Sequence, residues 1–197
     1  MDLELSFGKR YILIYALVLA TAHHIIVNIN AIYDMEIFNN IWPIDIIILV
    51  ITLMFISIFD RNQKSKISNG IFFKQTAFEK SAKFLKNENR IKNKEKLQIS
   101  LKNIKNEDFY SKYYKFVKKN ENVIAKNAEY CIVRDIVFTV FIIMITMIIL
   151  TFIWPSHFYK ELIVSIISYI IGVFSYKRKA KDFVLQILVE KSYLERE

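Results

Sequence analysis

Long apolar runs alternate along the chain with stretches crowded by charge. Residues 11–29 hold no formal charge apart from what His23 and His24 carry, and residues 46–59 are apolar but for Thr52 and Ser57. Residues 136–154 run 19 positions and residues 162–176 run 15 positions without a charge. A helix that crosses a bilayer needs roughly 20 apolar residues, with about 17 tolerated. The second and fourth runs are short and must draw on flanking positions, the second from near Pro43. The pattern predicts an all-α membrane protein with four transmembrane helices in two hairpins. The expected layout is a cytoplasmic N-terminus at 1–10, a transmembrane hairpin at 11–59 and a basic cytoplasmic helical domain at 60–134. A second transmembrane hairpin at 135–176 and a cytoplasmic amphipathic C-terminal helix at 177–197 follow.

The segment between the hairpins has Gly70 as its one glycine and no proline, which favours helix throughout. Ile71, Phe72, Phe78, Ala82 and Leu85 recur at helical spacing. Residues 86–96, "KNENRIKNKEK", are polar without a period and read as a mobile connection. Leu97, Ile99 and Leu101 alternate like a strand, while Leu97, Leu101 and Ile104 suit the helix that we favour. Residues 107–119 form an aromatic-rich helix. From Glu121 the pairs Val123-Ile124, Asn127-Ala128 and Cys131-Ile132 run into the third span without a breaker. One helix over 121–154 would measure roughly 50 Å at about 1.5 Å per residue. The tail repeats the device, with an apolar stripe of Phe183, Val184, Ile187, Leu188 and Tyr193 among charged neighbours. That stripe must bury itself against the middle domain or against another copy of the chain.

Charge supplies the orientation. Residues 61–134 hold 19 Lys and Arg against 7 Asp and Glu, a net of +12 within a chain of net charge +9. Lys9 and Arg10 precede the first span, and Lys177, Arg178, Lys179 and Lys181 follow the fourth. Residues 30–45 carry no basic residue, and residues 155–161 carry only Lys160. Basic residues stay on the cytoplasmic side, so both termini and the middle domain are expected inside, in a multi-pass protein of the bacterial inner membrane. The tripeptide Ile-Trp-Pro occurs at 41–43 and 153–155 and uses every tryptophan and proline in the chain. Trp42 and Trp154 fall at the two outer boundaries, where an indole prefers the headgroup layer, and serve as interfacial anchors. Pro43 starts a span and Pro155 stops one, so the tripeptide is boundary punctuation and not a repeat. Ala20-Thr21-Ala22 resembles a signal-peptidase site, but Asp2 and Glu4 are poor company for one and retention is expected.

Catalytic signatures are missing from the sequence. The glycines at 8, 70 and 172 are scattered, no Cys/His set has zinc spacing, and Cys131 is single. His23, His24 and His157 all lie outside the middle domain. An enzyme, a cofactor and a metal are therefore not expected. Within the first span, Thr21, His24 and Asn28 share a helix face, His23 lies beside it, and Asp45 enters at the same outer level. Ionisable groups inside a membrane usually face a bundle interior or a water path, which makes these five the pore or gating candidates. The plainer alternative is that they only reach the headgroups. Tyr110, Lys112, Tyr113, Tyr114, Lys115, Lys118 and Lys119 interleave rings with positive charge, as sites for an anionic ligand or nucleic acid do. Anionic lipid, or rings that simply fill a core, would account for the same pattern. Arg134 and Asp135 stand where the third span enters the membrane, as anchors or a gating pair.

The stretch "YSKYYKFVKKNENVIAKNAEYCIVRDIVF" (110–138) resembles the junction in small bacterial membrane proteins of antiviral defence. There a Tyr- and Lys-bearing helical segment leads through a Tyr-x-x-x-Arg-Asp boundary, here Tyr130, Arg134 and Asp135, into a membrane helix. Size, spans and basic domain are similar to the four-span accessory proteins found beside type VI-B CRISPR ribonucleases. The resemblance implies an effector or modulator that perturbs the membrane, or tunes a partner, when infection is sensed; it carries over no catalytic residue.

Three functions follow as expectations. The first is an oligomeric inner-membrane effector that alters membrane integrity or potential when its cytoplasmic domain meets a signal or partner. Four spans enclose no wide pore alone, so this one requires homo-oligomerisation in the lipid bilayer. The second is a membrane-anchored adaptor whose basic domain binds a protein, a nucleotide signal or a nucleic acid. The third is a small ion-coupled transporter or sensor built on His23, His24 and Asp45, which the lack of broken helices disfavours.

Overall fold

A computed structural model describes Met54 and residues 58–70, 76–91, 94–153 and 155–194, and among these every regular element is a helix. In chain order they are α1 (Arg61–Ser68), α2 (Ser81–Phe84), α3 (Lys94–Ser100), α4 (Asn106–Phe109), α5 (Lys115–Val117), α6 (Glu121–Ile153) and α7 (Pro155–Leu194). A 3-10 turn at Leu85–Asn87 extends α2, and a π-helical turn at Tyr110–Tyr114 joins α4 to α5. Helices α6 and α7, of 33 and 40 residues, are long and apolar enough to cross a membrane. The expected hairpin at 11–59 lies outside the described residues except at Met54, Ile58 and Phe59.

Two compact units make up the chain, one containing α1 with Arg134–Val173, the other Asn69–Val133 with Phe174–Glu197. Helices α6 and α7 each contribute residues to both.

In the first unit, a reciprocal cap starts α1. The Gln63 N–H donates to Asp60 Oδ1 at 2.7 Å, and the Asp60 N–H donates to Gln63 Oε1 at 2.9 Å. This satisfies two of the donors that a helix start leaves open. At the other end of α1, the Tyr169 hydroxyl donates to the Ile67 carbonyl at 2.8 Å, and Ser68 Oγ donates to the Arg134 carbonyl at 2.8 Å. Phe59 packs on Phe138 with ring centroids 5.2 Å apart. Helices α6 and α7 run antiparallel here: Phe141 meets Tyr169 at 5.5 Å, and a Cβ built on Gly172 would lie 3.0 Å from Val137 Cγ2. Gly172 thus permits the close approach of the two helices, as small residues do between membrane helices. Pro155 is the first residue of α7, where its missing N–H costs nothing. Helix α6, the third expected span, ends at Ile153, ahead of the proline expected to stop it, and the same proline also starts α7. The copy at 41–43 lies outside the described residues.

The second unit is built on rings. Tyr130 stacks on Phe183 at 5.3 Å and lies 5.4 Å from Tyr176, with their hydroxyls 3.0 Å apart. Phe78 sets its edge toward Tyr130 and Phe183 and also meets Phe109 at 5.3 Å. Leu85, Leu101, Val123, Val184, Ile187 and Leu188 are fully buried around them. The C-terminal stripe therefore finds its cover within the chain: Phe183, Val184, Ile187 and Leu188 are buried, and only Tyr193 is exposed. No strand forms at 97–101. Instead α3 leaves Ile99 outward at 76% exposure while Leu101 and Ile104 are buried. The polar stretch 86–96, expected as a mobile connection, makes packed contacts in its described part. Ile91 is buried, and Arg90 forks onto Glu88 at 2.8 and 2.9 Å while reaching Gln186 of α7 at 3.3 Å.

Overpacking a tight interface typically costs about 1–3 kcal/mol. Gly172→Leu is expected to destabilise the α6–α7 hairpin by about that much in a thermal unfolding measurement in mild detergent, and Gly172→Ala by less. Equal stability for the leucine variant would contradict the close approach.

Candidate functional site

Thr21, His23, His24, Asn28, Asp45, Trp42 and Trp154 lie outside the described residues. The remaining candidates divide between the two units.

In the aromatic-basic segment, burial separates the residues that sequence alone grouped together. Phe109, Tyr113 and Val117 point inward at four-residue spacing. In an α-helix that spacing drifts by about 40° per step, and the wider π turn at Tyr110–Tyr114 offsets the drift. Tyr113 is 7% exposed, packs on Phe109 at 5.3 Å and shares a 2.8 Å hydrogen bond with Ser100 Oγ. Tyr114 is half-buried with its edge on Phe183. Tyr113 is therefore core, and Tyr114 is engaged by Phe183 and by Tyr110 at 5.2 Å. Tyr110 is 51% exposed, and Lys112, Lys115, Lys118 and Lys119 are exposed as well. Sequence reasoning missed Phe116. It is 60% exposed, and Lys191 of α7 places its ammonium 4.3 Å from the ring centroid. The available signal was its place off the 109–113–117 stripe.

Carboxylates on α6 and α7 hold this unit together. Asn120 caps α6 by accepting from the Asn122 N–H at 2.9 Å, and its own amide donates to Glu190 at 2.9 Å. Asn122 and Gln186 donate to the same carboxylate at 3.1 and 2.7 Å. Glu129 accepts from Lys179 at 2.7 Å and Lys126 at 2.9 Å, and these two cations, Lys179 foremost, hold its carboxyl below the usual range. Lys177 is lowered by partial burial and then by the nearby charge of Lys80.

In the first unit, Arg134 and Asp135 are both buried, and Arg134 Nε donates to Asp135 Oδ1 at 2.8 Å. A buried pair of this kind is weak evidence for stability and a common registry device. The hydroxyls nearby are already engaged. Thr139, Thr146 and Thr151 each donate to the carbonyl four residues back, and Ser165 donates to Leu162. Glu161 Oε2 is enclosed without a hydrogen-bond partner. No group of three or more metal-ligating side chains occurs among the described residues.

The Arg90 fork lowers the Glu88 carboxyl from 4.5 to about 2, with the Arg90 side-chain hydrogen bonds as the leading cause. A depressed carboxyl contributes stability that is complete above its unfolded value and lost as pH falls through the folded one. Intact protein and Arg90→Ala are expected to differ in thermal stability near neutral pH. That gap should narrow between about 4.5 and about 2, and a constant gap across the window would contradict the pairing.

Comparison with protein-family models, with curated proteins and with solved structures finds no match to this chain in any of the three.

Proposed function

We propose that the chain is an effector of the bacterial inner membrane. Its basic unit receives a signal or partner in the cytoplasm, and its spans respond, as an oligomer, by changing membrane integrity or potential. One observation carries this reading: α6 and α7 each present an outward apolar stripe and then continue without a break into residues of the basic unit. On α7 the outward residues are Ile163, Ile166, Ile167, Ile170, Ile171 and Phe174, followed by Arg178. On α6, Ile145, Ile149, Phe152 and Ile153 are exposed. Burial of one such side chain is worth about 1.5–3 kcal/mol, so a stripe of this length in water would be costly, and lipid removes that cost. The setting in antiviral defence rests on the resemblance of residues 110–138 and of the chain's size, expected spans and basic domain.

Assembly loses one of its supports, because the C-terminal stripe is covered within the chain. The outward isoleucines and the polar face of the first span remain to provide it. More than one copy is expected in native mass spectrometry from mild detergent, and a monomer would contradict the oligomer.

A second reading, the membrane-anchored adaptor, is favoured by Thr139, Thr146, Thr151 and Ser165, whose hydroxyls turn back onto their own backbone. Membrane potential separates the two. Cells expressing the intact chain should depolarise, and a His24→Ala, Asn28→Ala variant at matched membrane levels should not. Equal potentials in both would favour the adaptor.

A further inference from the structure

We infer that the exposed face of residues 110–119, completed by Lys191 of α7, is a binding surface for single-stranded nucleic acid. This deepens the reading of the basic unit as the receiving side and rests on it. Between Tyr110 and Asn120 there are four lysines and no carboxylate. Glu107 and Asp108 stand in the first turn of α4, where negative charge suits the helix dipole. The fold turns Phe109, Tyr113 and Val117 into the core and leaves two rings outside, Tyr110 and Phe116. Tyr110 follows Phe109 and packs on Tyr114 at 5.2 Å, whereas Phe116 precedes Val117, so the two rings stand on opposite flanks of the segment, and Phe116 with Lys112, Lys115 and Lys119 carries the surface. Lysines flank both rings in sequence, and Lys191 brings a further ammonium to Phe116 from a different element.

Rings presented among lysines are what sequence-tolerant single-strand sites use, because every base offers a π face while the cations track the phosphates. A lipid surface would be served better by aliphatic side chains next to the cations. Here the exposed apolar groups of the segment are aromatic. The π-helical turn adds a second observation, since such turns occur often at functional sites and this one spans Tyr110–Tyr114.

The test uses the full chain in phosphatidylcholine nanodiscs and the fluorescence anisotropy of a short labelled oligouridylate. Binding is expected. Phe116→Leu, which keeps the bulk but loses the ring, should weaken it by about 5- to 100-fold, while Phe116→Tyr stays close to the intact protein. Lys115→Gln and Lys119→Gln should each flatten the salt dependence by about 0.7 in log–log slope. Because these side chains are exposed, unfolding curves should match those of the intact chain. Absence of binding, or equal binding by Phe116→Leu, would overturn the proposal. So would loss of phosphatidylglycerol-vesicle binding in the same variants when the oligonucleotide is ignored, which would assign the surface to lipid. Failure here with depolarisation intact would leave the effector reading standing with another trigger. Oligonucleotide binding without depolarisation would support the surface and point to the adaptor.

Discussion

Helix α7 keeps one face inward along most of its length: Ser165, Tyr169, Val173, Tyr176, Ala180, Phe183, Val184, Ile187 and Leu188 are all buried. Its other face changes character, from exposed isoleucine up to Ile171 and Phe174, through exposed Arg178, to Leu185 and Val189, which are buried. A helix whose outer face is exposed isoleucine in one unit and is covered by the chain in the other is responding to two surroundings. The inward stripe must satisfy packing everywhere, and the outward stripe must satisfy whatever solvent it meets. Much of the remaining chemistry is arranged around that division. Thr139, Thr146, Thr151 and Ser165 donate back to their own helix, while the Tyr169 hydroxyl reaches the Ile67 carbonyl. The carboxylates that bind amides and lysines, Glu129 and Glu190, lie in the basic unit.

Specific polar contacts in each unit fix how its short elements sit. Tyr169 and Ser68 close the end of α1. Before α2 the Thr76 N–H donates to Glu79 Oε2 and the Glu79 N–H donates to Thr76 Oγ1, which itself donates to Asn106 Oδ1. Asn120 both caps α6 and donates to Glu190 of α7, so the start of one long helix is tied to the end of the other. These bonds are each worth about 0.5–1.5 kcal/mol, or more where one partner is charged. In the second unit, the Thr76–Asn106 bond and the Asn120 contacts stand at the two ends of the segment 106–117, in which Phe109 and Tyr113 are buried while Tyr110 and Phe116 are exposed.

The long helices were legible in the sequence because their signal is long and uniform. The unbroken pattern from Glu121 matches the start of α6, and the stripe at 183–188 matches the buried face of α7. Short-range chemistry was harder to see. The polar run at 86–96 has no period, yet Ile91 alone is enough to seat it, with Arg90 bound to Glu88 and Gln186 beside it. Tyr110, Tyr113 and Tyr114 look equivalent in sequence, because which ring goes inward depends on a π turn that leaves no periodic mark. The cap before α2 was written in the sequence as Thr-x-x-Glu, but the elements it serves are too short for periodicity to draw attention to it.

The central claim is that α6 and α7 cross a bilayer while the basic unit stays in the cytoplasm. Labelling by a membrane-impermeant maleimide tests it most directly, using single cysteines introduced into a Cys131→Ser background. Ala125→Cys and Arg178→Cys, both at exposed positions, should react in inverted vesicles and not in intact spheroplasts. Ile149→Cys and Ile167→Cys, on the outward apolar stripes, should react in neither until detergent is added. Ready labelling of Ile149→Cys without detergent would contradict the account and place the two helices in water.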